Sequence, residues 1–380
     1  MRGWRSKYQY TECFFVTRVL YRESDFPILQ NRVYDTYEEA IRCPRGDIQI
    51  VEDDQSGLIY NAAFRPELMR YDSNYNNEQA NSIFFQQHLA AVKEIIRREL
   101  GQQELVEVGC GKGFFFEMLL ADGFDVTGFD PTYEGSNPRI VKEYFKPGVM
   151  KSSRGLILRH VLEHVPDPYR FLCDLRDANG GTGLIYIEVP CFDWICKKRA
   201  WFDIFYEHVN YFRMLDFFKM CGSVYASGKL FGDQYLYVVA DLATLRAPKY
   251  AKKDAIHFPQ DFLASLNHEE QSRAEQSRAE QSRAEQSRAE QSAVVWGGAS
   301  KGVIFSLLRE RIGNPVSAVV DVNPAKQGKF LPVTGLHVLS PETLLSHYAE
   351  GATVYVMNSN YIDEIKSMSL YRYNYVGVDQ

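Results

Sequence analysis

Three glycines at alternate positions separate two apolar segments in the first half of the chain: Gly109, Gly111 and Gly113. The segment before them, 104–108, predicts a strand, and the segment after them, 114–121, predicts a helix. Glycine permits positive φ and lets a ligand approach the backbone closely. A strand, a glycine turn and a helix open a parallel α/β unit that binds its ligand at the turn. This feature therefore predicts an α/β fold with a ligand site at the turn.

Two carboxylates flank this turn. Glu107 stands two residues before Gly109, and Asp130 ends a second predicted strand, 124–129. A carboxylate at the end of that strand can accept hydrogen bonds from both hydroxyls of a ribose. The NAD fingerprint needs a small residue three positions after its second glycine, where this chain has Phe114. The spacing instead resembles the first motif of class I methyltransferases, which implies S-adenosylmethionine. A glycine turn without a ligand is the alternative.

Predicted strands and helices alternate along residues 76–245, which indicates a Rossmann-like methyltransferase domain. The other predicted strands are 155–158, 183–189 and 235–240, and the other predicted helices are 82–100 and 169–176. Residues 293–380 predict a second, smaller Rossmann-like domain. Its predicted elements are strand 294–296, helix 303–309 and strand 316–321. Residues 1–75 contain no long periodic run and predict a small N-terminal module.

Four copies of Gln-Ser-Arg-Ala-Glu occupy residues 271–290, within the segment 246–292 that joins the two α/β units. A period of five residues advances ~140° per repeat on an α-helix, so no face stays apolar. We interpret the segment as a solvated helical spacer. A coil that binds a partner is the alternative, but no apolar heptad supports it.

Charge and composition exclude several classes of partner. The 43 Lys and Arg residues against 49 Asp and Glu residues give a net charge of −6, whereas nucleic-acid binding needs a clustered basic surface. No apolar run reaches the ~20 residues that span a bilayer, and no signal core follows the basic N-terminus. The seven cysteines include no Cys-x-x-Cys pair, which fits a reducing cytosol. We expect a cytoplasmic protein without a membrane or nucleic-acid partner.

A polar and aromatic run follows the strand predicted to end near Val189. Ligands of open α/β sheets bind beyond the carboxyl ends of the strands. The run places four candidate catalytic side chains there: Tyr206, Glu207, His208 and Tyr211. A histidine can take a proton near neutral pH, and a neighbouring carboxylate or phenol can orient it. A structural role is the alternative, and it stays more open for the three neighbours than for His208.

Most of the chain resembles the sugar C-methyltransferases of deoxysugar pathways. The stretches that carry the resemblance are 106–130, 160–168, 202–212, 297–302, 321–328 and 357–365. Members of that family add a methyl group to a carbon next to a ketone on a nucleotide-linked sugar. They carry a Tyr/His-Glu-His cluster where this chain has residues 205–208. The resemblance also implies that His160 lines the cofactor pocket, with a structural role for His160 and His164 as the alternative.

The C-terminal glycine turn predicts a handle for the substrate. Gly298 lies in this turn, which opens a helix whose N-terminal amides attract an anion, and Lys301 adds a positive charge. The resemblance adds Asn358 and Tyr361 to this substrate site, which suits the diphosphate of a nucleotide-sugar. A turn that serves packing alone is the alternative.

Family members begin with a zinc module held by four cysteines, whereas only Cys13 and Cys43 lie in residues 1–75 here. We expect the shape of that module without a metal. Purified protein should contain no stoichiometric zinc, because the thiol ligands are missing. Elemental analysis that finds about one zinc per chain would contradict this prediction.

Taken together, the sequence predicts an S-adenosylmethionine-dependent methyltransferase that C-methylates a nucleotide-linked keto-sugar through an enolate. A base removes the proton beside the carbonyl, and nearby donors stabilise the charge that develops. One alternative is O-methylation of a sugar or other metabolite, which uses the same cofactor site without an enolate. The other is a protein that binds a nucleotide-sugar without catalysis.

Overall fold

The computed structural model of the protein describes residues 17–69, 82–150, 153–266 and 293–380. The N-terminal module, as far as it is described, is an antiparallel sheet of three strands in the order β1-β2-β3. These strands are β1 (Arg18–Pro27), β2 (Arg45–Glu52) and β3 (Ile59–Asn61), and the short helix α1 (Tyr37–Ile41) connects the first two. Cys43 is buried just after α1, and Cys13 lies outside the described residues.

The central domain contains a seven-stranded sheet in the order β6-β5-β4-β7-β8-β10-β9. Its strands are β4 (Leu105–Val108), β5 (Val126–Phe129), β6 (Ile140–Val141), β7 (Gly155–Arg159), β8 (Leu184–Pro190), β9 (Val224–Leu230) and β10 (Tyr235–Asp241). The first five strands of that order are parallel, and β10 runs antiparallel to both β8 and β9. The carboxyl ends of β4, β5, β7 and β8 therefore meet at one edge of the sheet.

Helices of the central domain are α2 (Ile83–Glu99), α3 (Phe114–Ala121), α4 (Pro168–Ala178), α5 (Phe192–Lys198) and α6 (Met214–Met220). The hydroxyl of Ser82 caps α2 by accepting the amide of Phe85 at 3.4 Å, an interaction that stabilises a helix by about 1 kcal/mol. The buried face of α2 includes Leu89, Val92 and Ile96. Each contributes roughly 1.5–3 kcal/mol to the free energy of unfolding, because its apolar surface is removed from water.

A second α/β domain forms the C-terminal part of the chain. Its five-stranded sheet, in the order β13-β12-β11-β14-β15, is parallel throughout. The strands are β11 (Val294–Trp296), β12 (Ala318–Val320), β13 (Val338–Leu339), β14 (Thr353–Val356) and β15 (Asn374–Gly377). The helices are α7 (Ser300–Arg311), α8 (Pro341–His347) and α9 (Ile362–Met368).

The predicted fold class, two Rossmann-like α/β units and a small N-terminal module, is confirmed. The predicted strand 104–108 and helix 114–121 correspond to β4 and α3. The predicted helix 82–100 corresponds to α2, whose first residue, Ile83, is 66 % exposed. In the part of the chain that the structure describes, no helix is long and apolar enough to cross a bilayer.

The four repeats, 271–290, lie outside the described residues. The first part of the predicted helical spacer, 246–266, is described and differs from the prediction: it is mostly irregular, with a 3-10 turn at Lys252–Asp254, and it buries Ile256, Phe262 and Leu266. We expect that deleting residues 271–290 leaves S-adenosylmethionine affinity and the melting temperature nearly unchanged, because no face of the repeat can pack against a core. A variant in which a Gly/Ser segment of equal length replaces residues 271–290 is the control, because it keeps the length of the connection between the two domains. Calorimetry of the deletion variant that shows a large drop in either quantity would mean that the repeat docks on the fold.

Candidate active site

The glycine turn follows β4 with the backbone that its sequence predicts. Gly109 has φ 74°, and its amide donates to the carbonyl of Phe129 at 2.8 Å. A Cβ atom on Gly109 would lie 2.5 Å from Cγ2 of Val161, closer than any real contact. Gly111 and Gly113 have φ 55° and 83°, and Gly113 caps α3. The turn thus needs glycine both for its dihedrals and for the close approach of residue 161.

Asp130 ties this turn to the end of β5. Its Oδ2 accepts the amide of Gly111 at 2.8 Å, and its Oδ1 accepts the amide and hydroxyl of Thr132 at 2.8 and 2.7 Å. The residue is 7 % exposed. Each carboxylate oxygen can accept more than one hydrogen bond. The carboxylate therefore braces the glycine turn and keeps capacity for a ligand hydroxyl.

Glu107 is buried in β4, and its Oε2 has no hydrogen-bond partner in the structure. Burial raises the pKa of its carboxyl to about 7; the guanidinium of Arg159 acts in the opposite direction, and Asp130 adds to the rise. Nε of Arg159 is also buried without a partner. Buried polar atoms normally find a partner. Two unsatisfied groups of opposite sign in strands β4 and β7, next to the turn, fit a ligand that itself carries polar groups.

Glu188, at the end of β8, is a buried hub for three other elements. Its Oε1 lies 3.1 Å from Nε2 of His88, 3.1 Å from Nη2 of Arg159 and 3.0 Å from Nε2 of His160. The hydroxyl of Tyr186 donates to Oε2 at 2.7 Å. Burial alone would raise the pKa of Glu188, but Arg159 and the two histidines hold it well below its usual range. The carboxylate of Glu188 thus holds together side chains from α2, from β7 and from the segment that follows β7.

His160 follows β7 with φ 51°, in the left-handed region. Its Nε2 faces Glu188, and its Nδ1 lies 3.4 Å from Oε1 of Glu163. Burial would lower the pKa of this imidazole, but the contacts with Glu163 and Glu188 raise it to about 9. His160 is therefore a cation at neutral pH, held between two buried carboxylates.

The acid–base cluster, which we define as Glu163, His164 and His208, lies beyond His160. One donor atom from each of these three side chains lies within 4.8 Å of the others, so the set can exchange a proton or hold a cation. The ring of His208 lies 5.0 Å from that of His164 and 4.9 Å from that of Phe205. Nδ1 of His164 donates to the carbonyl of Glu207 at 2.9 Å, which leaves its Nε2 as the acceptor.

His208 is neutral in this environment. Burial and the neighbouring His164 lower its pKa to about 3, and the carboxylate of Glu163 acts in the opposite direction. A neutral imidazole has an unprotonated nitrogen that can accept a proton. Of the four predicted catalytic residues, His208 is the one whose side chain belongs to the cluster.

The other three predicted catalytic side chains are engaged elsewhere. Tyr206 is fully buried, and its hydroxyl accepts the amide of Arg65 at 2.9 Å in the N-terminal module. Oε1 of Glu207 accepts the amide of Gln30 at 2.8 Å, from the same module. The hydroxyl of Tyr211 bonds both the amide and the carbonyl of Phe205, at 3.1 and 3.0 Å. The structure thus places Tyr206 and Glu207 as anchors of the run and Tyr211 as a brace of its turn.

The predicted substrate residues Lys301 and Asn358 meet at the boundary with the central domain. Nζ of Lys301 lies 3.0 Å from Oδ2 of the buried Asp203 and donates to Oε1 of Gln234 at 2.7 Å. The amide group of Asn358 bonds that of Gln234 in both directions, at 2.9 and 3.1 Å. The charge of Lys301 is therefore balanced by Asp203, and Gln234 links the two domains.

Gly298 and Tyr361 complete the predicted substrate set. The amide of Gly298 donates to Oδ2 of Asp321 at 2.9 Å, so that part of the turn already has a carboxylate partner. The ring of Tyr361 lies 5.8 Å from that of Phe231, which stacks on Tyr235 at 5.0 Å. Tyr235 in turn contacts His160, with ring centroids 4.6 Å apart. A series of aromatic contacts therefore joins the C-terminal domain to His160.

Sequence reasoning missed Glu163, Gln234 and Asp203. Glu163 stands three residues after His160 and directly before His164, in a 3-10 turn (Leu162–His164) that brings its carboxylate back to His160. That His-x-x-Glu-His spacing is the available signal. No local pattern marks Gln234 or Asp203, whose partners lie 67 or more residues away.

Two family models match the chain. One is a methyltransferase domain, over residues 77–221, and the other is a C-methyltransferase C-terminal domain, over residues 264–375. The chain combines a methyltransferase domain with a C-methyltransferase C-terminal domain. The central domain is therefore the methyltransferase domain. The predicted resemblance to C-methyltransferases is confirmed by the two matches.

Solved structures similar to the chain include three methyltransferases. One is a SAM-dependent methyltransferase from Archaeoglobus fulgidus (19 % identity, covering 42 % of this chain and 100 % of that one, TM-score 0.31). Another is magnesium protoporphyrin IX methyltransferase from Synechocystis PCC 6803 (16 %, 44 % and 89 %, 0.33). The third is 1,6-didemethyltoxoflavin-N1-methyltransferase from Burkholderia thailandensis (15 %, 40 % and 77 %, 0.32). No curated protein matches the chain.

Proposed function

We propose that this protein is an S-adenosylmethionine-dependent methyltransferase that methylates a carbon next to the ketone of a nucleotide-linked sugar. The observation that carries the proposal is the acid–base cluster, which supplies a neutral histidine beside a buried carboxylate. Carbon needs such a base, because it becomes a nucleophile only when the proton beside the carbonyl is removed. The C-methyltransferase C-terminal domain supports carbon as the acceptor.

The glycine turn supports the cofactor half of the proposal. S-adenosylmethionine supplies an electrophilic methyl group on a sulfonium sulfur. Asp130 would accept the ribose hydroxyls, and Gly109, Gly111 and Gly113 would let the ligand approach the backbone. The unsatisfied Oε2 of Glu107 is available to a donor on the ligand. These are the residues that would hold the cofactor.

His208 is the proposed general base. It accepts the proton from the sugar carbon, and the electron pair stays on the substrate as an enolate. His164 lies against it with Nδ1 bonded to a backbone carbonyl, and such a bond fixes the tautomer and the ring orientation. His160, a cation at neutral pH, adds positive potential that favours a developing oxyanion nearby.

The boundary between the two α/β domains is the proposed substrate site. Lys301, Asn358 and Tyr361 from the C-terminal domain lie on this boundary. A substrate diphosphate would have to compete with Asp203 for Lys301, so substrate binding and domain contact are coupled in this proposal. The nucleotide end of the substrate would then rest on the C-terminal domain and the sugar on the methyltransferase domain.

Transfer of a labelled methyl group from S-adenosylmethionine to a panel of nucleotide-linked keto-sugars tests the proposal. NMR of the product then locates the new methyl group. A methyl bonded to carbon is the expected result. A methyl bonded to oxygen would replace C-methylation by O-methylation, and binding of the sugars without any turnover would leave a nucleotide-sugar binder.

A further inference from the structure

Glu163 is a buried carboxylate that the proposed chemistry does not yet use. It is 1 % exposed, and it is held in the 3-10 turn directly after the segment that packs on Gly109. Its Oε1 lies 3.4 Å from Nδ1 of His160. Its Oε2 is buried and has no hydrogen-bond partner among the residues that the structure describes. One oxygen is therefore anchored, while the other is without a donor in that part of the chain.

The carboxylate of Glu163 belongs to the same cluster as the two histidines. Glu163, His164 and His208 bring their donor atoms within 4.8 Å of one another. The carbonyl of Glu163 also accepts the amide of Asn210 at 3.0 Å, which ties its backbone to the run that carries His208. A buried carboxylate oxygen without a hydrogen-bond donor lowers the stability of the folded protein. A donor that forms during the reaction would remove this cost.

We infer that Glu163 is a positioning residue for the base: its carboxylate is the counter-ion of the imidazolium that His208 becomes during the reaction. The inference rests on the proposed function. When the carbon–hydrogen bond breaks, the proton goes to a ring nitrogen of His208 and the electron pair stays in the enolate. The new positive charge on the imidazole then lies beside the anionic Glu163. The proton leaves to solvent after methyl transfer, and the starting charges return.

The other groups around His208 do not stabilise a positive charge on its ring. The cations Lys301 and His160 oppose a positive charge on the ring of His208. Phe205 and Tyr211 cover the ring with aromatic surface. The hydroxyl of Tyr211 is committed to the backbone of Phe205. Of the charged groups that act most strongly on the pKa of His208, Glu163 is the one that favours the protonated form.

The experiment compares Glu163→Gln with wild type in three assays. The first is deuterium exchange at the sugar carbon beside the ketone, which reports enolate formation without methyl transfer. We expect exchange and kcat to fall together by about 10–100-fold, because an adjacent carboxylate shifts a base by one to three pKa units. The second assay is affinity for S-adenosylmethionine and KM for the sugar, which should both change by less than about threefold if Glu163 acts on the proton-transfer step. Glu163→Asp should recover part of the exchange rate.

The third assay does not depend on turnover. NMR titration of ¹⁵N-histidine-labelled protein should show that Glu163→Gln lowers the pKa of His160, since one of its two carboxylate partners loses its charge. An unchanged pKa of His160 would overturn the inference, because Glu163 would then not be an anion at this place. If wild-type protein fails to exchange any sugar proton while His160 responds as expected, the proposed function fails and the geometry around Glu163 stands.

Glu52→Gln is the matched control. Glu52 is 2 % exposed, pairs with Arg18 at 2.8 Å and with Arg213 at 3.8 Å, and accepts the amide of Ile256; these partners lie outside the cluster. The Glu52→Gln variant should have a lower melting temperature, because it loses a buried carboxylate. Its rate of deuterium exchange and its KM for the sugar should stay at the wild-type values. Equal loss of exchange in both variants would overturn the inference. Stoichiometric metal in wild type, lost in Glu163→Gln together with activity, would also overturn it, by showing that the cluster holds a cation.

Discussion

His208→Ala should lose most turnover while it keeps its affinity for S-adenosylmethionine. A general base contributes roughly 10²–10⁴-fold to a rate, so kcat should fall by about that factor. The side chain of His208 lies in the acid–base cluster, whereas the glycine turn that is proposed to bind the cofactor is built from other residues. The loss should therefore appear in kcat and not in cofactor binding.

Deuterium exchange separates a base from a residue that only shapes the pocket. His208→Ala should slow exchange of the sugar proton beside the ketone as much as it slows methyl transfer. Exchange at the wild-type rate in this variant would move the role to another residue. His164 is then the best candidate, because its Nδ1 is committed to a carbonyl and its Nε2 can accept a proton.

The controls for this prediction come from the other histidines. His347→Ala removes an exposed histidine in the C-terminal domain and should leave turnover unchanged. His164→Ala alone and together with His208→Ala shows whether the two rings act as a unit. If they do, the double variant should lose little more than the worse single variant, because residues that act together are not additive.

The elements that position the cofactor site could be predicted because their signals are local. Glycines, a preceding apolar strand and a following helix stand within one short stretch, and the bounds of α3 agree with the predicted range 114–121. β9 was missed because its inward positions include the small residues Ala226 and Gly228, whereas the aromatic Tyr225 is exposed, so its sequence shows little alternation of apolar and polar residues.

The roles within the 206–211 run could not be predicted because they depend on distant partners. The hydroxyl of Tyr206 and the carboxylate of Glu207 bond amides that lie 141 and 177 residues earlier in the chain. A Tyr-Glu-His run looks alike whether its side chains face a substrate or a neighbouring module. The contacts with the N-terminal module distinguish these side chains. Tyr206 and Glu207 bond backbone amides of that module, whereas His208 lies in the acid–base cluster.

Asp130→Ala should weaken S-adenosylmethionine binding by about 1–3 kcal/mol, the usual cost of removing a charged hydrogen-bond partner. That range corresponds to roughly 5–150-fold in Kd. Two effects contribute, since Asp130 is the proposed acceptor of the ribose hydroxyls and also braces the amide of Gly111. Titration calorimetry measures the sum, and unchanged affinity would remove Asp130 from the cofactor site.

Two further variants separate the contributions to this loss. Thr132→Val keeps the carboxylate and removes only the hydroxyl that donates to Oδ1, so it should bind the cofactor almost as wild type does. Asp125→Ala removes an exposed carboxylate at the opposite end of β5 and controls for the change in net charge. Asp130→Asn keeps one acceptor oxygen for Gly111 and loses the charge. If it binds as weakly as Asp130→Ala, the charge facing the ribose provides most of the affinity; if it binds as wild type does, the brace on the glycine turn is the larger part.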